Sequence, residues 1–298
     1  MKFRYLSPIV SVFHSDGSID PEGNRRVYRY MMDNGIEGFL VMGSTGEFYA
    51  MTMEERRQMI DISSEALAGK TLYYVGTGAM NPDDAVELSR YALKKGADGV
   101  FVVAPYYLPM SERDLFAYYD YVAERIDGPM YIYNIPSCTC QDVTPSLVLS
   151  LCRKHPNIRG IKDSVIDFAH LKEILAAIRP EFPYFEAYTG MDFNFVSDVG
   201  EGGAGCIGGL ANLAPEVCAA MTSCANEGRI EEMVALQQKI VRLIPAYNLG
   251  GKAFIATLKR GMQLRGVDIA DKCKFPVQPI APEEEAALRE MFTAEGLL

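Results

Sequence analysis

The chain has 298 residues, 49% of them hydrophobic and 23% charged, and a formal net charge of −10 at pH 7. This is ordinary globular composition with ample apolar material for a large core. The negative balance, with no Lys/Arg cluster to reverse it locally, argues against nucleic acid as a partner, and no apolar run approaches the roughly 20 residues needed to span a bilayer.

The N-terminal segment Met1-Lys2-Phe3-Arg4-Tyr5-Leu6-Ser7-Pro8 carries basic charge but no signal-peptide core, so a cytoplasmic protein is expected. The pattern that follows repeats in kind: a helical stretch ends, a short turn bearing glycine follows, then a buried β-rich run. Eight strands are predicted, near residues 7–13, 37–42, 72–76, 98–103, 130–134, 158–162, 184–188 and 204–207. Asn34-Gly35-Ile36-Glu37-Gly38 leads into the second, and its glycine suits a helix C-cap. Lys95-Gly96-Ala97-Asp98-Gly99 leads into the fourth, and the glycines of 200–205 lead into the last. The runs are almost uniformly apolar, as in parallel strands covered by helices on the outside.

Helical patterns fill the gaps, among them 53–68, 81–95, 111–125 and 166–178, with N-caps expected at Thr52, Asn81 and Ser111. After about residue 210 the strands stop, and 214–227, 229–248, 250–264 and 282–294 read as helices. Length alone suggests about two domains, but single α/β barrels routinely run to roughly 250 residues. Strand and helix alternating eight times predict an α/β fold, a (β/α)8 barrel over 1–212, with a C-terminal helical extension over 213–298 packed on it. The seven cysteines are odd in number and scattered, and C-x-C at Cys138 and Cys140 is neither a zinc nor a redox spacing, so reduced thiols are expected.

Barrel enzymes carry their chemistry at the C-terminal ends of the strands. Those ends read Gly43-Ser44-Thr45-Gly46-Glu47, Ala104-Pro105-Tyr106-Tyr107, Tyr133-Asn134-Ile135-Pro136 and Gly160-Ile161-Lys162-Asp163-Ser164. Most other lysines sit on helix faces or ends, whereas Lys162 closes an apolar strand and enters the barrel mouth if it points inward with Gly160. An amine shielded from water is more readily neutral, and the neutral amine is the form that attacks a carbonyl. The bland alternative is a lysine paired with a barrel carboxylate. Tyr133 ends the neighbouring strand, about 4.8 Å away, where a phenol can relay protons beside a Schiff-base lysine. Its alternative is core packing. Ser44 and Thr45 offer hydroxyls and amides to a carboxylate, or form an ordinary glycine-rich turn.

Together the four segments resemble the dihydrodipicolinate synthase / N-acetylneuraminate lyase family, class I pyruvate-dependent aldolases, in order and spacing and over essentially the whole chain. The resemblance implies a 2-oxo acid of pyruvate type in imine linkage to Lys162, with no metal and no other cofactor. It implies Tyr133 as proton relay, and the Gly43-Ser44-Thr45 turn as carboxylate clamp with Ser44 and Thr45 also as relay partners. Tyr107 would reach across a tight dimer, Gly190 and Ile207 would give backbone contacts, and the assembly would be a homo-oligomer, a dimer of dimers. Dihydrodipicolinate synthases carry an arginine where this chain has Cys138, and a thiol cannot replace a guanidinium fork at a substrate carboxylate. Sialic acid lyases carry an acidic residue after the aspartate of the segment that here reads Gly190-Met191-Asp192-Phe193, and a serine after the last strand where glycines 208–209 stand. The GIKDS segment is similar to that of 2-keto-3-deoxy sugar acid aldolases, and Asp192 is placed to bind a polyol hydroxyl. Reversible cleavage of such an acid to pyruvate and an aldehyde is therefore expected. The two better-known activities are the alternatives, and a non-catalytic 2-oxo acid-binding protein is a remote one.

Other patterns carry less. Gly203-Ala204-Gly205-Cys206-Ile207-Gly208 matches G-x-G-x-x-G, but a strand is predicted to run through it, against the dinucleotide fingerprint. A phosphate site after the last two strands is a rival use of the same glycines. Metal-dependent aldol chemistry usually needs clustered histidines. The chain has only His14, His155 and His170, the last two expected on solvated surface.

Overall fold

The computed structural model describes residues 2–251 and 254–298. Eight parallel strands close a barrel in sequence order: β1 (Arg4–Pro8), β2 (Gly38–Val41), β3 (Leu72–Gly76), β4 (Gly99–Val103), β5 (Met130–Asn134), β6 (Ile158–Asp163), β7 (Glu186–Thr189) and β8 (Gly205–Ile207). Around it run α1 (Pro21–Asp33), α2 (Met53–Leu67), α3 (Pro82–Lys94), α4 (Glu112–Glu124), the short α5 (Pro136–Thr139), α6 (Pro145–Lys154), α7 (Ala169–Ile178), α8 (Phe195–Gly200) and α9 (Pro215–Glu227). Then come α10 (Ile230–Leu243), α11 (Ile255–Leu264) and α12 (Pro282–Ala294).

The predicted caps form: Thr52 closes a capping box with Glu55, and Asn81 and Ser111 accept amides of the first turns of α3 and α4. Gly35, just past α1, has φ +86°, the left-handed turn that relieves a helix C-terminus without a Cβ penalty. The lower barrel interior is a layer of large side chains, Leu6, Leu40, Tyr74, Phe101, Tyr131 and Tyr188, so the barrel is packed solid below its mouth.

One placement differs from expectation. The first strand lies at Arg4–Pro8 rather than 7–13. Residues 9–13 are equally apolar and buried, but they form loop: the Val10 amide donates to Asn212 and the Val12 amide to Asn24, which replace a neighbouring strand as partners. At the other end, α9 follows β8 and docks on β1, where Thr222 accepts the Tyr5 amide and Asn226 bonds both backbone groups of Phe3. Packing thus continues past residue 212 without a break. Among the described residues no helix is long and apolar enough to cross a membrane.

Candidate active site

Strand alternation decides what faces the mouth. Gly160 points inward, for a Cβ there would lie 2.8 Å from the Tyr131 ring in the packed layer. Lys162, two residues on, therefore points the same way one layer higher. Its partner in register is Tyr133. The ammonium sits 4.3 Å from the centroid of the Tyr133 ring, and Lys162 is only 4% exposed. Among the described residues no carboxylate comes within ion-pairing distance of it, which removes the structural alternative of a barrel salt bridge. Burying an amine without an anionic partner is costly.

The Tyr133 hydroxyl lies 3.4 Å from that of Ser44. Ser44 opens a 3-10 turn, Ser44–Gly46, flanked by two left-handed non-glycine residues, Met42 (φ 56°) and Glu47 (φ 59°). Such conformations persist only where the surroundings impose them. Here Gly76 leaves room, since a Cβ on it would lie 2.1 Å from the Met42 carbonyl. Glu47 is fully buried and gripped by Lys259 of α11, Nζ to Oε1 2.6 Å, and by the Lys274 amide at 2.7 Å. Removing one partner of a buried pair leaves an uncompensated charge, so the C-terminal helices hold this turn in place.

Above Lys162 opens a cavity of about 680 Å³, lined by Ser44, Thr45, Tyr133, Cys138, Lys162, Gly190, Asp192 and Ile207 among the expected residues. Ser164 and Asp167 of the β6–α7 loop also line it, as do Tyr247 and Phe254 of the C-terminal part. Lys162 is the one basic side chain among the described lining residues, so that wall offers a phosphate no second cation. Cys138 occupies the first turn of α5, and the Ser137 hydroxyl lies 4.0 Å from its sulfur.

Asp192 and Gly190 are held within that wall, whereas Gly43 and Tyr107 lie outside it. Both Asp192 oxygens are occupied: Oδ1 accepts from the Tyr5 hydroxyl and the Leu210 amide, Oδ2 from the Tyr247 hydroxyl. Burial pushes its pKa up. Asp192 lines the cavity and fixes Tyr247 as part of the same wall. The Gly190 amide is spent on the Asp163 carbonyl at 2.7 Å. Its missing Cβ makes room for the Ser164 hydroxyl, which would lie 1.9 Å from one. Gly43 lines a narrow gap under Tyr133, not the main cavity. Tyr107 is 88% exposed and does not line the cavity of its own chain.

The two later histidines are not solvated. His155 is buried with Nε2 2.6 Å from Asp120, and His170 lies between Asp163 and Asp142. Tyr247 and Phe254 follow no periodic pattern, and nothing local in the sequence marks them. Ser164 lay within the recognised GIKDS segment and gained its role only once the fold placed it over Gly190. The glycines of 203–208 do carry a strand, β8, through their middle.

Comparison with known proteins agrees with this geometry. The chain matches the dihydrodipicolinate synthetase family over residues 2–295. It is 30% identical over 293 residues to a probable 2-dehydro-3-deoxy-D-pentonate aldolase of Escherichia coli K12, covering 98% of this chain and 97% of that one. It is equally 30% identical over 297 residues to a 4-hydroxy-tetrahydrodipicolinate synthase of Gluconacetobacter diazotrophicus, covering 98% and 97%. Identity alone therefore does not separate the two activities. The crystal structure of YagE, a prophage protein of Escherichia coli K12 in complex with pyruvate, superposes with a TM-score of 0.96 at 28% identity and covers both chains completely. With the barrel, the cavity and a match that runs from end to end, the chain belongs to the dihydrodipicolinate synthetase family and is an enzyme of the class I aldolase type.

Proposed function

We propose that the enzyme cleaves a 2-keto-3-deoxy sugar acid reversibly to pyruvate and an aldehyde through an imine on Lys162. One observation carries the reading: a buried lysine without an acid partner, under a tyrosine, at the floor of a cavity. Nζ adds to the C2 carbonyl, and loss of water from the carbinolamine gives the iminium. Removal of the proton from the C4 hydroxyl sends the C3–C4 electron pair toward the iminium, releasing the aldehyde and leaving an enamine. Protonation at C3 and hydrolysis return pyruvate and the free amine. The Tyr133 hydroxyl, with Ser44 beside it, is the group in place to carry these protons. The Ser44-Thr45 turn receives the substrate carboxylate. No metal or further cofactor takes part, and the enzyme works in the cytoplasm.

The described lining, with Cys138 and no arginine, favours a neutral polyhydroxy aldehyde over aspartate semialdehyde. A charged hydrogen bond to a carboxylate contributes about 1.5–3 kcal/mol, so its absence weakens semialdehyde use by roughly tenfold to a hundredfold. Measured on one preparation, kcat/KM for cleavage of 2-keto-3-deoxy acids is expected to exceed that for dihydrodipicolinate synthesis. Synthase activity equal to or above every cleavage tested would favour dihydrodipicolinate synthesis instead.

The exposed Tyr107 and Leu108 lie on the β4–α4 loop, where a two-fold partner would cover them. A homodimer or a dimer of dimers is expected by light scattering, and a fully active monomer at assay concentration would refute it.

A further inference from the structure

Behind the Tyr133–Lys162 pair, on the outer face of the barrel, four side chains close a ring. Strand alternation puts Asn134 and Asp163 there, paired in register just as their inward neighbours are. Asn134 Nδ2 donates to Asp163 Oδ1 at 2.8 Å and to Asp142 Oδ1 at 2.7 Å, while its Oδ1 accepts the Val143 amide at 3.1 Å. His170 completes the ring: Nδ1 lies 3.0 Å from Asp163 Oδ2. Nε2 lies 3.2 Å from Asp142 Oδ2, near enough for ion pairing though off the line of a good hydrogen bond. Both ring nitrogens face carboxylates, so the imidazolium is the favoured form, and the two acids push its pKa up to about 10.

The four positions are the ends of two loops. Asn134 and Asp142 bracket 135–141, which carries α5 and Cys138. Asp163 and His170 bracket 164–169, which carries Ser164 and Asp167. Both loops line the cavity. The strands below are already fixed by their backbone ladder, whereas at their bases the loops share this one cation.

We propose that His170 is a positioning residue that staples these two loops at their bases and so shapes the part of the cavity that receives the substrate beyond C3. The proposal rests on the aldolase reading and adds the element that governs binding of the distal end. Lys162 and Tyr133 sit on strands and keep their places without it, so its loss weakens binding and leaves the chemistry nearly intact.

The test uses His170→Ala and Asp142→Asn. The second removes one charge from a half-exposed residue while keeping its shape, so it folds even if the first does not. With 2-keto-3-deoxygluconate as probe, KM is expected to rise about tenfold or more in His170→Ala and about threefold in Asp142→Asn. In both, kcat should stay within about threefold, the signature of lost uniform binding. Borohydride trapping of pyruvate on Lys162 should be unchanged. Hydrogen exchange should quicken in 135–141 and 164–169 but not in the 43–47 turn, and added imidazole should restore KM in His170→Ala. An unchanged KM, or exchange quickened evenly round the barrel, would overturn the proposal. If wild-type enzyme is not trapped by pyruvate, the imine reading fails instead, and loop exchange still judges the staple.

Discussion

Treatment with pyruvate and borohydride is expected to inactivate the enzyme and leave a reduced pyruvyl group on Lys162 alone. Borohydride converts the C=N bond to a stable amine, so the label marks the residue that formed the imine. Lys162 is the lysine the barrel places under the cavity, buried and without a carboxylate partner. Lysines such as Lys95 and Lys172 are spent on surface ion pairs. Lys162→Ala should escape labelling and lose activity on the order of 10⁴-fold or more, the scale expected when a covalent nucleophile is removed. The cavity can absorb the change without unfolding, because truncation breaks no salt bridge. Peptide mapping decides the matter. A label on any other lysine, or none, ends the Schiff-base mechanism and returns the chain to the remote alternative of a 2-oxo acid-binding protein without catalysis.

Tyr133→Phe is expected to fold and to lose kcat by roughly 10²- to 10⁴-fold, the usual worth of general acid–base help. The substitution keeps the ring that packs over the Lys162 ammonium and removes one hydroxyl. That hydroxyl makes a single long contact, 3.4 Å to Ser44. A hydrogen bond of this kind contributes about 1 kcal/mol or less to stability, so thermal unfolding should shift little. Stability and rate are thereby separated. A variant within about threefold of wild-type kcat would show that Tyr133 only packs, and the proton path would have to be sought elsewhere on the cavity wall.

The fold was readable because its signals are local. Thr52, Asn81 and Ser111 cap helices through amides of the same turn. Gly35 turns the chain within one residue, and parallel strands covered by helices are apolar throughout. Eight repetitions of those local rules leave a closed barrel as the arrangement in which every strand is paired. The one strand misplaced, β1, is where the apolar run continues into a buried loop. Burial looks the same there, and only the side chains of Asn24 and Asn212, far along the chain, show that the amides have no strand beside them.

The site divides in the same way. Lys162 and Tyr133 were legible because strand alternation and the rule of C-terminal strand ends place them without knowledge of any other residue. The partners of Asp192, Tyr5 and Tyr247, were not legible because they stand far from it in the sequence. A carboxylate looks free until the fold brings donors to it. His170 was misread on a helix because Asp142 comes to it from the β5–α6 loop and Asp163 from the end of β6. By itself, then, the sequence determined the barrel, the lysine and its tyrosine, all set by short-range periodicity. The tertiary structure decided which polar groups were already satisfied, and that depends on partners as far as 187 residues away, which no local pattern records.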